Sequence, residues 1–448
     1  MNKKTSVLTL IFCIFIAAIP LFAQNSNNIS FVESLQNKLE SGDINGAISL
    51  YDSIPQNLAN DLDLKMLKAS LLISAGRYNE ASDVTQELAQ HSDTQKDALE
   101  LDAQIATATK NSQKLKTVIN QLLALDPYNP TANNILGDQQ ALRKKYKLAA
   151  NYYRKALAGD SQNMDSLFGF GLMTYYLGDL KTSRTQFETL LKLDPYNASA
   201  WAYMGKLAAD EENFLQATQY IQKAIELESD NYEFYIDLGQ YNRSRGKFSD
   251  AEKAWTKAIE LNPKYFLPYT YRAGLYDEQN RIQEALNDYL KVVETNPKYY
   301  FAYEEIGILH FHLENWAEAR KFFLKANSVS KQTSYQLMIL ATYLKEKNLF
   351  EAKNFAQTCM KTLDRASIDY LMIRLYHDQG PFNAENAIIK KLDSETDKNK
   401  KGKMTYYLAL YYELKGSDRV AREYYSQVTK MQTPMFYEYR LAEWGLLK

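Results

Sequence analysis

The sequence predicts an all-α protein, a solenoid of stacked antiparallel helical hairpins, and three observations predict it. The pentapeptide LDPYN occurs at Leu125–Asn129 and again at Leu193–Asn197, 68 residues on, which is two steps of a 34-residue ruler. Small residues fall on that ruler: Ala47, Ala81, Leu115, Ala149, Ser183, Ala217, Ala251, Ala285 and Ala319 keep one phase. A second column lies twelve residues earlier at Leu35, Ala69, Ala103, Gly137, Gly171, Gly205, Gly239, Ala273 and Gly307, and a third, twelve residues later, contains Pro127, Pro195, Pro263 and Pro297. Between these landmarks the apolar residues recur with period 3.6, as in an amphipathic helix. In Trp201–Asp210, for example, Trp201, Met204, Gly205 and Ala208 share one face, and in Phe214–Leu227 Ala217, Ile221, Ala224 and Ile225 share another.

Each 34-residue unit therefore reads as two helices and a tight turn that often carries Gly, as at Gly178 and Gly246. A hairpin with one apolar face cannot bury it alone, so it stacks on the next. Close helix crossings admit only Gly, Ala or Ser, which explains the first two columns. A bulky column four residues past each Ala (Tyr153, Phe187, Ile221, Trp255, Tyr289, Phe323) fills the remaining space. Proline ends each second helix by removing a donor and restricting the residue before it. Asn129, Asn197 and Asp230 are placed to cap the helices that follow.

Along the chain, residues 1–23 read as a signal peptide: Lys3 and Lys4, an apolar run from Val7 to Ile19, a break at Pro20, and cleavage after Ala23. Cys13 does not fit a lipid-attachment signal, because the large Phe12 precedes it inside the run. Residues 24–30 form a short spacer and 31–433 the repeat array. After Ala319 the ruler slips, to Ala352, Ala384 and Ala421, at steps of 33, 32 and 37. The stretch 379–386 is the most degenerate repeat, the eleventh, and the polar segment 393–403 is the longest connector. The final residues 434–448 read as one helix that covers the open end of the array, as solenoid termini require.

The composition sets limits on function. A formal charge of −1 from 53 basic and 54 acidic residues gives no general attraction to nucleic acid or membrane surfaces. The mature chain would keep one cysteine, Cys359, so no internal disulfide forms. His310 and His312 are two apart on a helix, point about 200° apart, and cannot share a metal. Gly169–Gly171 lies mid-helix rather than after a strand, so it is not a phosphate loop. No cofactor, metal site or catalytic constellation is expected, and the repeats leave no room for an enzyme domain.

The pattern of Trp201, Met204, Gly205, Ala217, Ile221 and Ala224, and better still Tyr235, Leu238, Gly239, Ala251, Trp255, Ala258 and Pro263, resembles the tetratricopeptide repeat. The resemblance covers residues 31 to 433 and is strongest in the middle. It implies a right-handed superhelix of about twelve repeats whose first helices line a concave groove that holds protein or peptide partners. Carried over position by position, the groove would be lined by Asn134, Asp138, Phe168, Leu172, Tyr175, Tyr176, Lys206, Ile236, Gln240, Arg243, Glu304, Ile308 and Phe311. Packing between repeats is the alternative role for each aromatic among them. The clamp that some members use for chaperone tails needs Asn just after the Gly column. Here those positions are Asp138, Leu172, Lys206, Gln240 and Ile308, so it is absent.

Together these features predict a non-catalytic scaffold exported to the periplasm or cell envelope of a bacterium, with no transmembrane segment once the signal is cleaved, a peripheral association with the envelope, and a role in assembly or secretion there. A glycan- or lipid-handling protein that uses the 34 tyrosines as a binding wall is the alternative from another class.

Overall fold

The computed structural model describes residues 26–380, 383–432 and 434–447. The expected leader 1–23 lies outside the described residues, as does the side chain of Ala384. The described residues contain 25 α-helices and no strand. They fall into two compact units, residues 1–211 and 212–448.

The first unit holds five hairpins: α1 (Ser26–Glu40) with α2 (Ile44–Leu50), α3 (Leu62–Ser74) with α4 (Tyr78–Leu88), α5 (Gln95–Ala108) with α6 (Ser112–Leu125), α7 (Pro130–Leu142) with α8 (Tyr146–Gly159), and α9 (Met164–Tyr176) with α10 (Leu180–Leu193). It ends with α11 (Ala198–Asp210). The second unit begins with α12 (Phe214–Leu227) and continues as α13 (Tyr232–Ser244) with α14 (Phe248–Leu261), α15 (Leu267–Glu278) with α16 (Ile282–Thr295), and α17 (Phe301–His312) with α18 (Trp316–Val329). Three more hairpins follow: α19 (Thr333–Lys345) with α20 (Leu349–Met360), α21 (Ile368–Asp378) with α22 (Asn383–Ser394), and α23 (Lys398–Leu414) with α24 (Asp418–Thr429); α25 (Glu438–Leu447) closes the chain. The sequence repeat that contains α11 and α12 gives one helix to each unit, which brings the repeats to twelve.

The hairpins explain the columns. Ala47, Ala81, Ala149, Ala251, Ala285 and Ala319 are fully buried. Where Ser183 replaces Ala, its hydroxyl donates to the Gly171 carbonyl at 2.8 Å, which places the two small columns directly against each other. The bulky column lies on the glycines sixteen residues earlier: a Cβ on Gly137 would sit 2.8 Å from the Tyr153 ring, one on Gly171 or Gly307 would sit 3.1 Å from Phe187 or Phe323, and one on Gly239 would overlap the Trp255 indole. Space, not backbone conformation, favours glycine there, most strongly at Gly137 and Gly239.

A further column appears at the turn inside each hairpin. Gly42, Gly76, Lys110, Lys144, Gly178, Glu212, Gly246, Asn280 and Glu314 have positive φ and are 34 residues apart. Lys347, Gln379 and Gly416 continue it with the same slips of 33, 32 and 37 as the small column. At the other end of each repeat, the residue six beyond the helix-ending position donates to its carbonyl: Trp201 Nε1 to Pro195 (2.9 Å), Tyr269 to Pro263 (3.3 Å), Tyr303 to Pro297 (2.9 Å) and Tyr235 to Ser229 (3.0 Å). An aromatic ring with a polar tip buries its body and still satisfies a turn carbonyl. Asn129, Asn163 and Asn197 cap α7, α9 and α11 by accepting from Ala132, Ser166 and Ala200. Asn231, not Asp230, caps α13.

Two segments differ from the sequence reading. α1 starts at Ser26, so most of the expected spacer 24–30 is helical. Of the expected connector 393–403 only residues 395–397 are non-helical: Asp397 accepts from the amides of Asn399 and Lys400 and starts α23. The polar run 398–403 is the solvent-edge beginning of a tyrosine-rich helix whose later residues are buried.

Where the ruler slips, the stacking tightens. α19 touches α23 directly, across the intervening hairpin: Lys345 pairs with Glu413 at 2.6 Å, and Tyr407 Oη lies 2.9 Å from the Ser334 carbonyl. Tyr376, Tyr406 and Tyr407 are fully buried there. The tyrosine doublets of this region are thus core.

Candidate partner-binding site

In the first unit, α8 to α11 bring six rings into one run. Phe187 stacks on Tyr203 (centroids 5.4 Å apart), and Phe168 meets both, at 5.7 and 5.9 Å. Tyr175 stands 5.7 Å from Tyr203 and 5.8 Å from Tyr176, and Tyr176 stacks on Tyr146 at 5.0 Å. Phe187 is fully buried and anchors the run, Phe168, Tyr175, Tyr203 and Tyr146 are half-buried, and Tyr176 is 50% exposed. Buried rings that lead outward to exposed ones make a rigid apolar wall with phenol groups at its edge. Such rings supply contact area at low entropic cost.

The polar residues expected beside this wall have structural work. Asn134 donates to Asn163 Oδ1 at 3.0 Å, and its own Oδ1 accepts from Ser166 at 2.7 Å, which ties α7 to the cap of α9. Asp138 accepts from the Tyr153 hydroxyl at 2.5 Å. Leu172 is half-buried against the cluster of Ala149, Ala150, Tyr153 and Met173. Lys206 on α11 is half-buried.

In the second unit the expected wall is not open. Ile236, Ile308 and Phe311 are buried, Phe311 against Trp316 with ring centroids 5.0 Å apart. Gln240 is half-buried, and Arg243 pairs with Glu278 of α15. Glu304 accepts from the Tyr335 hydroxyl at 2.5 Å. α25 packs mainly on α24 and α23 and also touches α17; Arg440 reaches α15, and Tyr437, just before α25, reaches α19. Trp444 stacks on His312 with centroids 3.9 Å apart, Arg440 pairs with Asp277, and Tyr437 stacks on Tyr335 at 6.3 Å and 7°. Glu438, fully buried, sits 2.9 Å from the Tyr407 hydroxyl.

The ground beneath α25 is acidic. Burial raises Asp277, although Arg440 pulls the other way; it also raises Glu304, and Glu438 at the start of α25 itself. Burial together with Asp277 and Glu304 pushes Glu305 up to about 7. One oxygen of Asp277 and one of Glu438 find no hydrogen-bond partner among the described residues.

Sequence reasoning missed Tyr146, Tyr203, Tyr437 and Arg440, and read Trp444 only as part of a terminal helix over the open end of the array. Tyr203 lies one residue beyond Ala202 and was visible only as part of a helix face. The spacing of Tyr437, Arg440 and Trp444, at i, i+3 and i+7, was readable as one helical face, but its destination was not. Two other expectations concern chemistry. Cys359 is buried, which raises its thiol to about 11 and keeps it protonated. His310 stacks on Phe322 at 5.9 Å, away from His312. No group of His, Cys, Asp and Glu with metal-binding geometry occurs among the described residues.

A family model described as tetratricopeptide repeat matches residues 203–266 and 272–328. This chain carries tetratricopeptide repeats. Such repeats generally mediate protein–protein interaction and are generally non-catalytic. Over 122 residues the tetratricopeptide array is 27% identical to the type IV pilus assembly protein PilF of Pseudomonas aeruginosa, a match that spans 26% of this chain and 47% of that one. The chain thus spans about half the length of this curated relative. Among solved structures, Pseudomonas aeruginosa pilF is 18% identical with a TM-score of 0.42, covering 46% of this chain and 95% of that one. A tetratricopeptide repeat protein from Parabacteroides merdae is 20% identical with a TM-score of 0.41, covering 55% and 97%. No described helix is long and apolar enough to cross a membrane.

Proposed function

We propose that this protein is a non-catalytic scaffold of the bacterial envelope that holds a peptide segment of a partner against the aromatic wall of its first unit. The observation that carries this reading is the graded burial of the ring run, from fully buried Phe187 to half-exposed Tyr176. A wall needed only for packing would end in solvated polar groups. Phe168, Leu172, Tyr175, Tyr176 and Lys206 line it from the expected set, with Tyr146 and Tyr203 added. Asn134 and Asp138 hold the wall in place. In the second unit, Gln240, Arg243 and Glu304 remain candidates for a separate contact near Ile236, Ile308 and Phe311. The leader-like residues 1–23 support export, with maturation after Ala23 and a peripheral place at the envelope. The likeness to a pilus assembly protein is in keeping with a role in assembly or secretion.

A photocrosslinking residue placed at Tyr176 in cells tests this, with Lys155, exposed on the second helix α8, as the control position. A defined protein adduct from Tyr176 alone is expected. Equal adducts from both positions, or adducts with glycan or lipid in place of protein, would overturn the reading.

A further inference from the structure

We infer that the first-helix face of α15, α17 and α19 is a second peptide site, that α25 is its built-in occupant, and that helices in trans carrying an aromatic, an arginine three residues on and an aromatic four beyond that compete for it. The assignment rests on residues of the second unit and is independent of the first unit's wall.

The contacts are those of a ligand helix in a groove. Arg440 and Trp444 on α25, with Tyr437 in the turn just before it, each meet a group suited to them: Asp277 for the guanidinium, His312 for the indole and Tyr335 for the tyrosine. Arg440 also donates to the Asp277 carbonyl at 3.2 Å and lies 4.2 Å from the centre of the Trp444 ring. Arg440 and Trp444 thus form a pair within the docked helix.

The occupant is also built to leave. α25 has ten residues, too few for a helix to persist alone in water, so its order comes from docking. Docking leaves one oxygen each of Asp277 and Glu438 without a hydrogen bond among the described residues, a cost that offsets part of what the contacts gain. A helix tethered in cis is present at about millimolar effective concentration. A partner with the same chemistry therefore meets an occupied site, and its apparent affinity falls by the fraction that is open.

The test uses the full chain and a fluorescent peptide of residues 434–447 as probe. With Arg440→Ala and Trp444→Ala together, the docking surface is intact and the occupant weakened, so the probe should bind about tenfold or more tighter than it does to the parent chain. Adding Asp277→Asn should remove that gain, and a probe lacking its own arginine and tryptophan should not bind. Equal probe binding to the parent and the double variant would overturn the inference. So would loss of helical circular dichroism in the double variant, because α25 would then be an integral part of the fold. Hydrogen exchange on the parent chain gives a separate reading: residues 438–447 should exchange well before α23 and α24, and exchange in step with them would contradict a releasable occupant.

Discussion

Gly239 and Gly171 occupy the same column, yet their surroundings differ in a way that fixes the sign of a mutation. Replacing a mid-helix glycine by alanine gains about 1 kcal/mol of helix propensity, while forcing an extra carbon into a packed contact costs about 1–3 kcal/mol. At Gly239 the new Cβ would overlap the Trp255 indole, whereas at Gly171 it would stand 3.1 Å from Phe187. Gly239→Ala should therefore lower the urea midpoint by the equivalent of about 1–2 kcal/mol, with Gly171→Ala near neutral; the reverse order would refute the ring-on-glycine contact. Lys110 and Lys144 hold φ of 55° and 57° at turns where other repeats use glycine. A left-handed residue with a Cβ costs about 1 kcal/mol or more, so Lys144→Gly should raise the midpoint by about 0.5–1 kcal/mol. Glycine revealed the turn column at Gly178 and Gly246. Where lysine, glutamate or asparagine takes the same φ, the residue type hid it.

At the level of helices, the hairpins from Ala47 to Ala319 were legible because each contact between small residues repeats at fixed spacing. The polar start of α23 was not, since a capping Asp397 outweighs five charged or polar residues only when the following turns are buried. The reach of α25 to α15 was not legible either: the sequence placed a terminal helix over the open end of the array, but Arg440 and Asp277 are 163 residues apart and no local rule pairs them. Its acidic bed has a consequence for pH. Burial holds Asp277, Glu304, Glu305 and Glu438 above their usual range. For an acid raised in the folded state, the unfolded chain loses its proton first, so stability falls as pH rises from the ordinary value of 4.5 towards about 7 for Glu305. Between those limits the second unit should lose about 2 kcal/mol, and Glu305→Gln should flatten the loss. Thermal melts at pH 5 and pH 7.5 check it; a steeper dependence in Glu305→Gln would contradict the assignment.

Across the whole molecule, one repeat serves two ends. In the first unit, rings graded from core to surface leave a wall exposed. In the second, homologous positions are closed by the chain's own last helix. The sequence marked first-helix positions as partner-facing in both units, because the repeat assigns them identical geometry. Only the three-dimensional arrangement separates the open set, Phe168, Tyr175 and Tyr176, from the covered set, Ile308 and Phe311. Because Tyr175 and Tyr176 lie at the outer edge of the wall, replacing both by alanine removes contact area and leaves the Phe187 anchor in place. The most direct measurement is the affinity of the crosslinked partner, once purified, for the parent chain and for Tyr175→Ala with Tyr176→Ala, with circular dichroism as the folding control. A loss of about tenfold or more, equivalent to about 1.4 kcal/mol, is predicted with helicity unchanged, and an unchanged affinity would contradict the account.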